Sequence, residues 1–141
     1  MPLFTVSVDI QVRFRDTDAM GHVNNAVYLS YLEVARFHYW RLATGHTDFR
    51  QVDIILARVE IDYRAPATVD TELKVWVRVP EIRRSSFLMD YRVEEKGTQR
   101  LIAEAKTVQA CYDYAANKVK RVDEAFRRQV LALEKPGSVA S

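Results

Sequence analysis

Residues 26–45, AVYLSYLEVARFHYWRLATG, constrain the fold more than any other stretch of the chain. Tyr28, Leu32, Ala35, Tyr39 and Leu42 recur at spacings of four and three, which is one stripe of an α-helix. Val27, Leu29, Tyr31, Val34, Phe37 and Trp40 widen that stripe nearly all round. A helix this apolar is expected to be enclosed rather than to lie on a surface. Asn24 or Asn25 is the expected cap at its start, and Gly45 suits its end.

The remaining segments supply strands to enclose it. In residues 4–14, Phe4, Val6, Val8, Ile10, Val12 and Phe14 alternate with Thr5, Ser7, Asp9, Gln11 and Arg13, the pattern of a half-buried strand. Ile55, Ala57, Val59, Ile61 and Tyr63 alternate in the same way, as do Leu73, Val75, Val77 and Val79, and Phe87, Met89, Tyr91 and Val93. Residues 100–114 form a last long strand. Pro66 breaks the pattern after residue 63, and Glu95-Lys96-Gly97 is the expected hairpin turn. Asp123 is placed to cap a short helix carrying Phe126, Val130 and Leu133. The expected architecture is therefore α+β, with one long central helix and a curved antiparallel sheet of about five strands. One domain spans residues 1–135, followed by a flexible tail over 136–141. The far side of the helix and the open sheet edges need covering, so a homodimer is expected.

Composition narrows the function classes. A net charge of +2 does not argue for nucleic acid. Lys118-Lys120-Arg121 and Arg127-Arg128 read as solvated faces. No run approaches the ~18 apolar residues of a membrane span, and the N-terminus lacks a basic, continuously apolar leader. The cytoplasm is the expected compartment. The single cysteine, Cys111, lies in a strand-like run and is expected to be a small buried side chain rather than a nucleophile.

The chemistry-bearing stretch is RDTDAMGHVNN, residues 15–25, between the first strand and the enclosed helix. Helix N-termini expose unpaired amide donors and a partial positive charge, so the amide near Asn25 would stabilise a carbonyl oxygen gaining negative charge. Asp18, a few residues upstream, is placed to attack the carbonyl carbon or to activate water. Asp and Asn are also ordinary turn and cap residues, and the residues alone leave both readings open. Asp16 is expected to hold the loop by accepting backbone hydrogen bonds, and His22 to orient it. Asp16, Asp18 and His22 without further Cys or His make a poor metal signature, so no metal is expected.

RFRDTDAMGHVNNAVYLSYLE resembles the signature of hotdog-fold acyl-CoA thioesterases of the 4-hydroxybenzoyl-CoA thioesterase type. The resemblance continues through VEIDYRAPATVDTELKVWVRVPEIRRSSFLMDYRV, with a Tyr-x-x-Pro-Ala turn at Tyr63, Pro66 and Ala67, and covers residues 6–125. It implies a central helix wrapped by an antiparallel sheet, and hydrolysis of an acyl-CoA to a free acid and coenzyme A without a metal or redox cofactor. It implies Asp18 as nucleophile or general base and the Asn25 amide as the group polarising the thioester carbonyl. It also implies a basic pair on a strand, Arg83 and Arg84 with Ser85 beside them, binding the coenzyme A phosphates. Guanidinium forks suit phosphate oxygens, although a solvated strand end would look the same. The His22-Val23-Asn24-Asn25 form also occurs in relatives acting on aliphatic acyl groups, including acyl carrier protein thioesters. Tyr28, Tyr31, Phe87 and Met89 are candidates for an acyl pocket or for plain core. The site is expected at the interface of a homodimer, with two dimers associating further. The alternative function is a non-catalytic acyl-CoA-binding protein of the same fold; a hotdog dehydratase and a purely structural module are the remaining rivals.

Overall fold

The computed structural model describes residues 3–137, so the tail expected over 136–141 falls mostly outside the described residues. Strand β1 (Val6–Gln11) leads through a single 3-10 turn at Phe14–Asp16 to helix α1 (Val27–Thr44). Strands β2 (Ile54–Tyr63), β3 (Glu72–Ile82), β4 (Ser86–Glu95) and β5 (Leu101–Asp113) follow. A two-residue strand β6 (Lys118–Val119) and helix α2 (Glu124–Leu133) complete the order. The sheet runs β1-β3-β4-β5-β2, every pairing antiparallel, with β6 beside β5. β1 and β2 are therefore the outer strands of the main sheet.

β1 is shorter than the alternation predicts. The Asp16 carboxylate accepts the Arg13 amide at 3.0 Å and turns the chain, so Val12 stays buried while Phe14 faces solvent. α1 ends as expected: Gly45 takes φ +75° and its N–H donates to the Arg41 carbonyl at 2.8 Å. Its start differs. Ala26 is the N-cap and makes no side-chain cap bond. Asn24 acts one step earlier, its Oδ1 accepting the Ala26 N–H at 2.9 Å and its carbonyl the Val27 N–H at 2.9 Å.

The helix is not enclosed all round within one chain. Tyr28, Tyr31, Leu32, Ala35, Tyr39, Trp40 and Ala43 are buried against the sheet and α2, whereas Leu29, Val34 and Leu42 are exposed. α2 covers one end of the core through Val130, which is buried, and Phe126, whose ring lies 5.0 Å from that of Phe87. The alternation expected in β2 is also broken. A bulge between Leu56 and Arg58 shifts its register against β5, and Ile55, Leu56, Val59 and Tyr63 all stand exposed along this outer strand.

Candidate active site

Asp16 is the node of the 15–25 loop. Its carboxylate is buried and accepts from the Arg13 amide (3.0 Å), the Arg13 guanidinium (3.0 and 3.3 Å) and the Tyr31 hydroxyl (2.8 Å). Burial alone would raise the pKa of this carboxyl. The Arg13 and Tyr31 hydrogen bonds outweigh it and hold the group below the ordinary aspartate value. Its backbone carbonyl accepts the Asn24 amide at 2.9 Å. One residue thus ties together the end of β1, the buried face of α1 and the residue before Asn25. Its expected structural role holds, with the correction that the side chains of Arg13 and Tyr31 contribute as well as backbone.

Asp18 lies two residues on and is exposed. Its Oδ1 accepts the amides of Met20 (2.9 Å) and His22 (3.2 Å), and its own amide donates to the His22 carbonyl at 2.7 Å. Gly21, at φ +77°, supplies the left-handed step this tight turn needs. Among the described residues no donor reaches Oδ2, so one carboxylate oxygen is anchored and the other is open. His22 contributes to this turn through its backbone. Bridges from Thr17 to Val23 and from His22 to Thr68 hold the loop flat against the β2–β3 connection, where the Val23 amide also meets the Ala67 carbonyl.

Asn25 sits at the head of α1. Its carbonyl accepts the Tyr63 hydroxyl at 2.8 Å, and among the hydrogen bonds of the described residues none uses its N–H. The head of α1 thus presents an open amide on the same loop as an open carboxylate oxygen.

Arg83, Arg84 and Ser85 do not join this group within one chain. They lie not on a strand but in the turn between β3 and β4, which the Arg83 amide closes by donating to the Ser86 carbonyl at 2.8 Å. The Arg83 guanidinium is paired with Glu81 at 2.6 Å, while no ion pair of the described residues uses Arg84. Sheet register fixes the separation. Ile55, Ala110 and Ser86 share a row at one end, and Tyr63, Ala103 and Val93 share a row at the other. At ~3.3 Å per residue the two rows are roughly 25 Å apart along β2.

Tyr28, Tyr31, Phe87 and Met89 are all buried in the core. Tyr31 matters here in a way its spacing did not reveal, since nothing in the sequence links it to Asp16; the available signal was that a tyrosine on a buried helix face needs a partner for its hydroxyl. Cys111 is buried, and burial pushes its thiol pKa up to about 11, which suits a core residue rather than a nucleophile. Among the described residues no group of three or more His, Cys, Asp or Glu is placed to hold a metal ion. No helix among them is long and apolar enough to cross a membrane.

The sequence profile of the Thioesterase-like superfamily matches residues 12–130. The acyl-CoA thioesterase YbgC of Haemophilus influenzae is 32% identical over 130 residues, 89% of this chain and 91% of that protein. A shorter match, to the uncharacterized protein YsmA of Bacillus subtilis, is 28% identical over 82 residues, 58% of this chain and 56% of that protein's length. Among solved structures, a thioesterase from Thermus thermophilus, complexed with coenzyme A and Zn, superposes with a TM-score of 0.86 at 35% identity, covering 96% of this chain and 99% of that one.

Proposed function

Given that the chain belongs to the Thioesterase-like superfamily and is a thioester hydrolase, we propose that it cleaves an acyl-CoA with water to a free acid and coenzyme A. Asp18 does the chemistry. The Asn25 amide and the head of α1 hold the carbonyl oxygen as it gains charge, and His22 shapes the turn that presents the carboxylate. Asp18 acts either by attacking the carbonyl carbon, giving an anhydride that water then opens, or by taking a proton from an attacking water. Both routes expel the coenzyme A thiolate and return the carboxylate unchanged, with no further cofactor assigned. The observation that carries the proposal is the open Oδ2 of Asp18 on the same loop as the unused Asn25 amide.

Arg83, Arg84 and Ser85 are assigned to the coenzyme A phosphates, and this assignment goes with a homodimer. Antiparallel pairing of two β2 strands about a two-fold axis would set the Tyr63 end of one beside the Ile55 end of the other. Asp18 of one chain would then share a cleft with the basic turn of its partner. The exposed apolar row Ile55, Leu56, Val59 and Tyr63 supports this pairing, because an open edge of this kind is otherwise a template for aggregation. The exposed α1 side chains Leu29 and Val34 are then available for a dimer of dimers. An acyl carrier protein thioester offers the same carbonyl and is the second substrate to try. A reduced, buried Cys111 fits the cytoplasmic setting.

The test is a panel of acyl-CoAs of increasing chain length, with free thiol followed in time. Thiol release from at least one member supports the proposal. Binding of the panel without release from any member contradicts it and leaves a non-catalytic acyl-CoA binder.

A further inference from the structure

α1 carries two buried tyrosines whose hydroxyls each bond a carboxylate on another part of the chain. Tyr39 donates to Glu134 at 2.6 Å, at the end of α2. Tyr31, two helical turns nearer the N-terminus, donates to Asp16 at 2.8 Å, inside the loop that carries Asp18. Both side chains are buried and neither hydroxyl has a competing carboxylate partner among the described hydrogen bonds. Only the Tyr31 bond has a mechanical route to the reacting groups. Asp16 precedes Asp18 by two residues, and its carbonyl holds the Asn24 amide next to Asn25. Loosening Asp16 would therefore shift the carboxylate and the oxyanion-holding amide relative to each other.

We propose that Tyr31 is a positioning residue for hydrolysis: through Asp16 it fixes the Asp18 carboxylate against the Asn25 amide without touching the substrate. The inference rests on the thioesterase assignment and adds to it a residue on the buried side of the helix. Small displacements of reacting groups, of about 1 Å, cost on the order of 100-fold in rate. The bond should consequently appear in kcat and not in KM.

Tyr31→Phe and Tyr39→Phe remove one hydroxyl each and keep both rings in place. Each loses one buried hydrogen bond, so each variant should melt roughly 3–5 °C lower. Tyr31→Phe is expected to lower kcat for acyl-CoA about 10- to 100-fold with KM unchanged, and Tyr39→Phe to leave kcat within about twofold of the native protein. Hydrogen exchange gives a readout independent of turnover: the Asn24 amide should exchange faster in Tyr31→Phe alone. A Tyr31→Phe kcat equal to native, or an equal fall in both variants, overturns the inference and leaves the thioesterase assignment standing. Native protein that releases no thiol overturns that assignment, and unaltered Asn24 exchange overturns the positioning role on its own.

Discussion

The Tyr63 hydroxyl donates to the Asn25 carbonyl over 2.8 Å, joining the outer strand of the sheet to the head of the central helix. The ring of Tyr63 also meets Tyr28 edge-on at 5.3 Å. Whatever seats against β2 is therefore mechanically coupled to the amide assigned to the oxyanion. Tyr63→Phe keeps the ring contact and removes the hydrogen bond. Such a bond is worth about 0.5–1.5 kcal/mol, so kcat/KM for acyl-CoA should fall about 3- to 10-fold while the protein remains folded. Unchanged steady-state thiol release in this variant would separate the strand from the site.

The separation of Asp18 from Arg83 and Arg84 along one chain leads to a complementation test. Asp18→Asn protein and protein carrying Arg83→Ala with Arg84→Ala are each expected to be poor at low acyl-CoA. In the proposed homodimer, refolding them together would give mixed dimers in which one of the two clefts has a native carboxylate facing a native basic turn. About a quarter of native activity should return in a one-to-one mixture. A mixture that only averages its two parents would place carboxylate and phosphate contacts in the same chain, against the register of the sheet.

Asp16 sets a pH signature. Its carboxyl is held below the ordinary value of 3.8 in the folded chain, so the folded state favours the ionised form. The stability this contributes is fully present above the unfolded value and is lost as pH falls through the folded one. Urea unfolding of native protein and Asp16→Asn should differ by a constant amount from neutral pH down to about 5, with Asp16→Asn the less stable. The gap should close below about pH 4. A gap that persists unchanged into strong acid would mean that Asp16 is not ionised in the fold.

Most of the fold was legible because its elements have strong periods. The alternation at Leu73–Val79 and Phe87–Val93 became β3 and β4, and the apolar run from Val27 became α1 with Gly45 ending it. The departures have different causes. Phe14 left the strand pattern because Asp16 turned the chain, whereas Leu29, Val34, Leu42 and the β2 residues are apolar yet exposed in the single chain. Periodicity reports that a side chain is apolar, not what covers it. The loop residues Asp16, Asp18, His22 and Asn25 stood out as candidates from residue type beside a helix start, with a plain turn and cap equally open on that ground. The partners that give them geometry, Tyr31 at 15 residues from Asp16 and Tyr63 at 38 from Asn25, are set by tertiary packing and leave no local trace. The basic pair was legible as charge, but its place in a turn at the far end of the sheet followed only from strand register.

In the proposed reaction the Asp18 carboxylate converts a bound thioester to acid and thiol. Asp18→Asn preserves the side chain's size and leaves an oxygen to accept the Met20 and His22 amides, so the turn should persist. The decisive measurement is thiol release from the best acyl-CoA by this variant, beside its affinity for the same ligand by calorimetry. Release should fall by about three orders of magnitude or more, with Kd within a few-fold of the native protein. Native-rate release by Asp18→Asn would remove Asp18 from the chemistry.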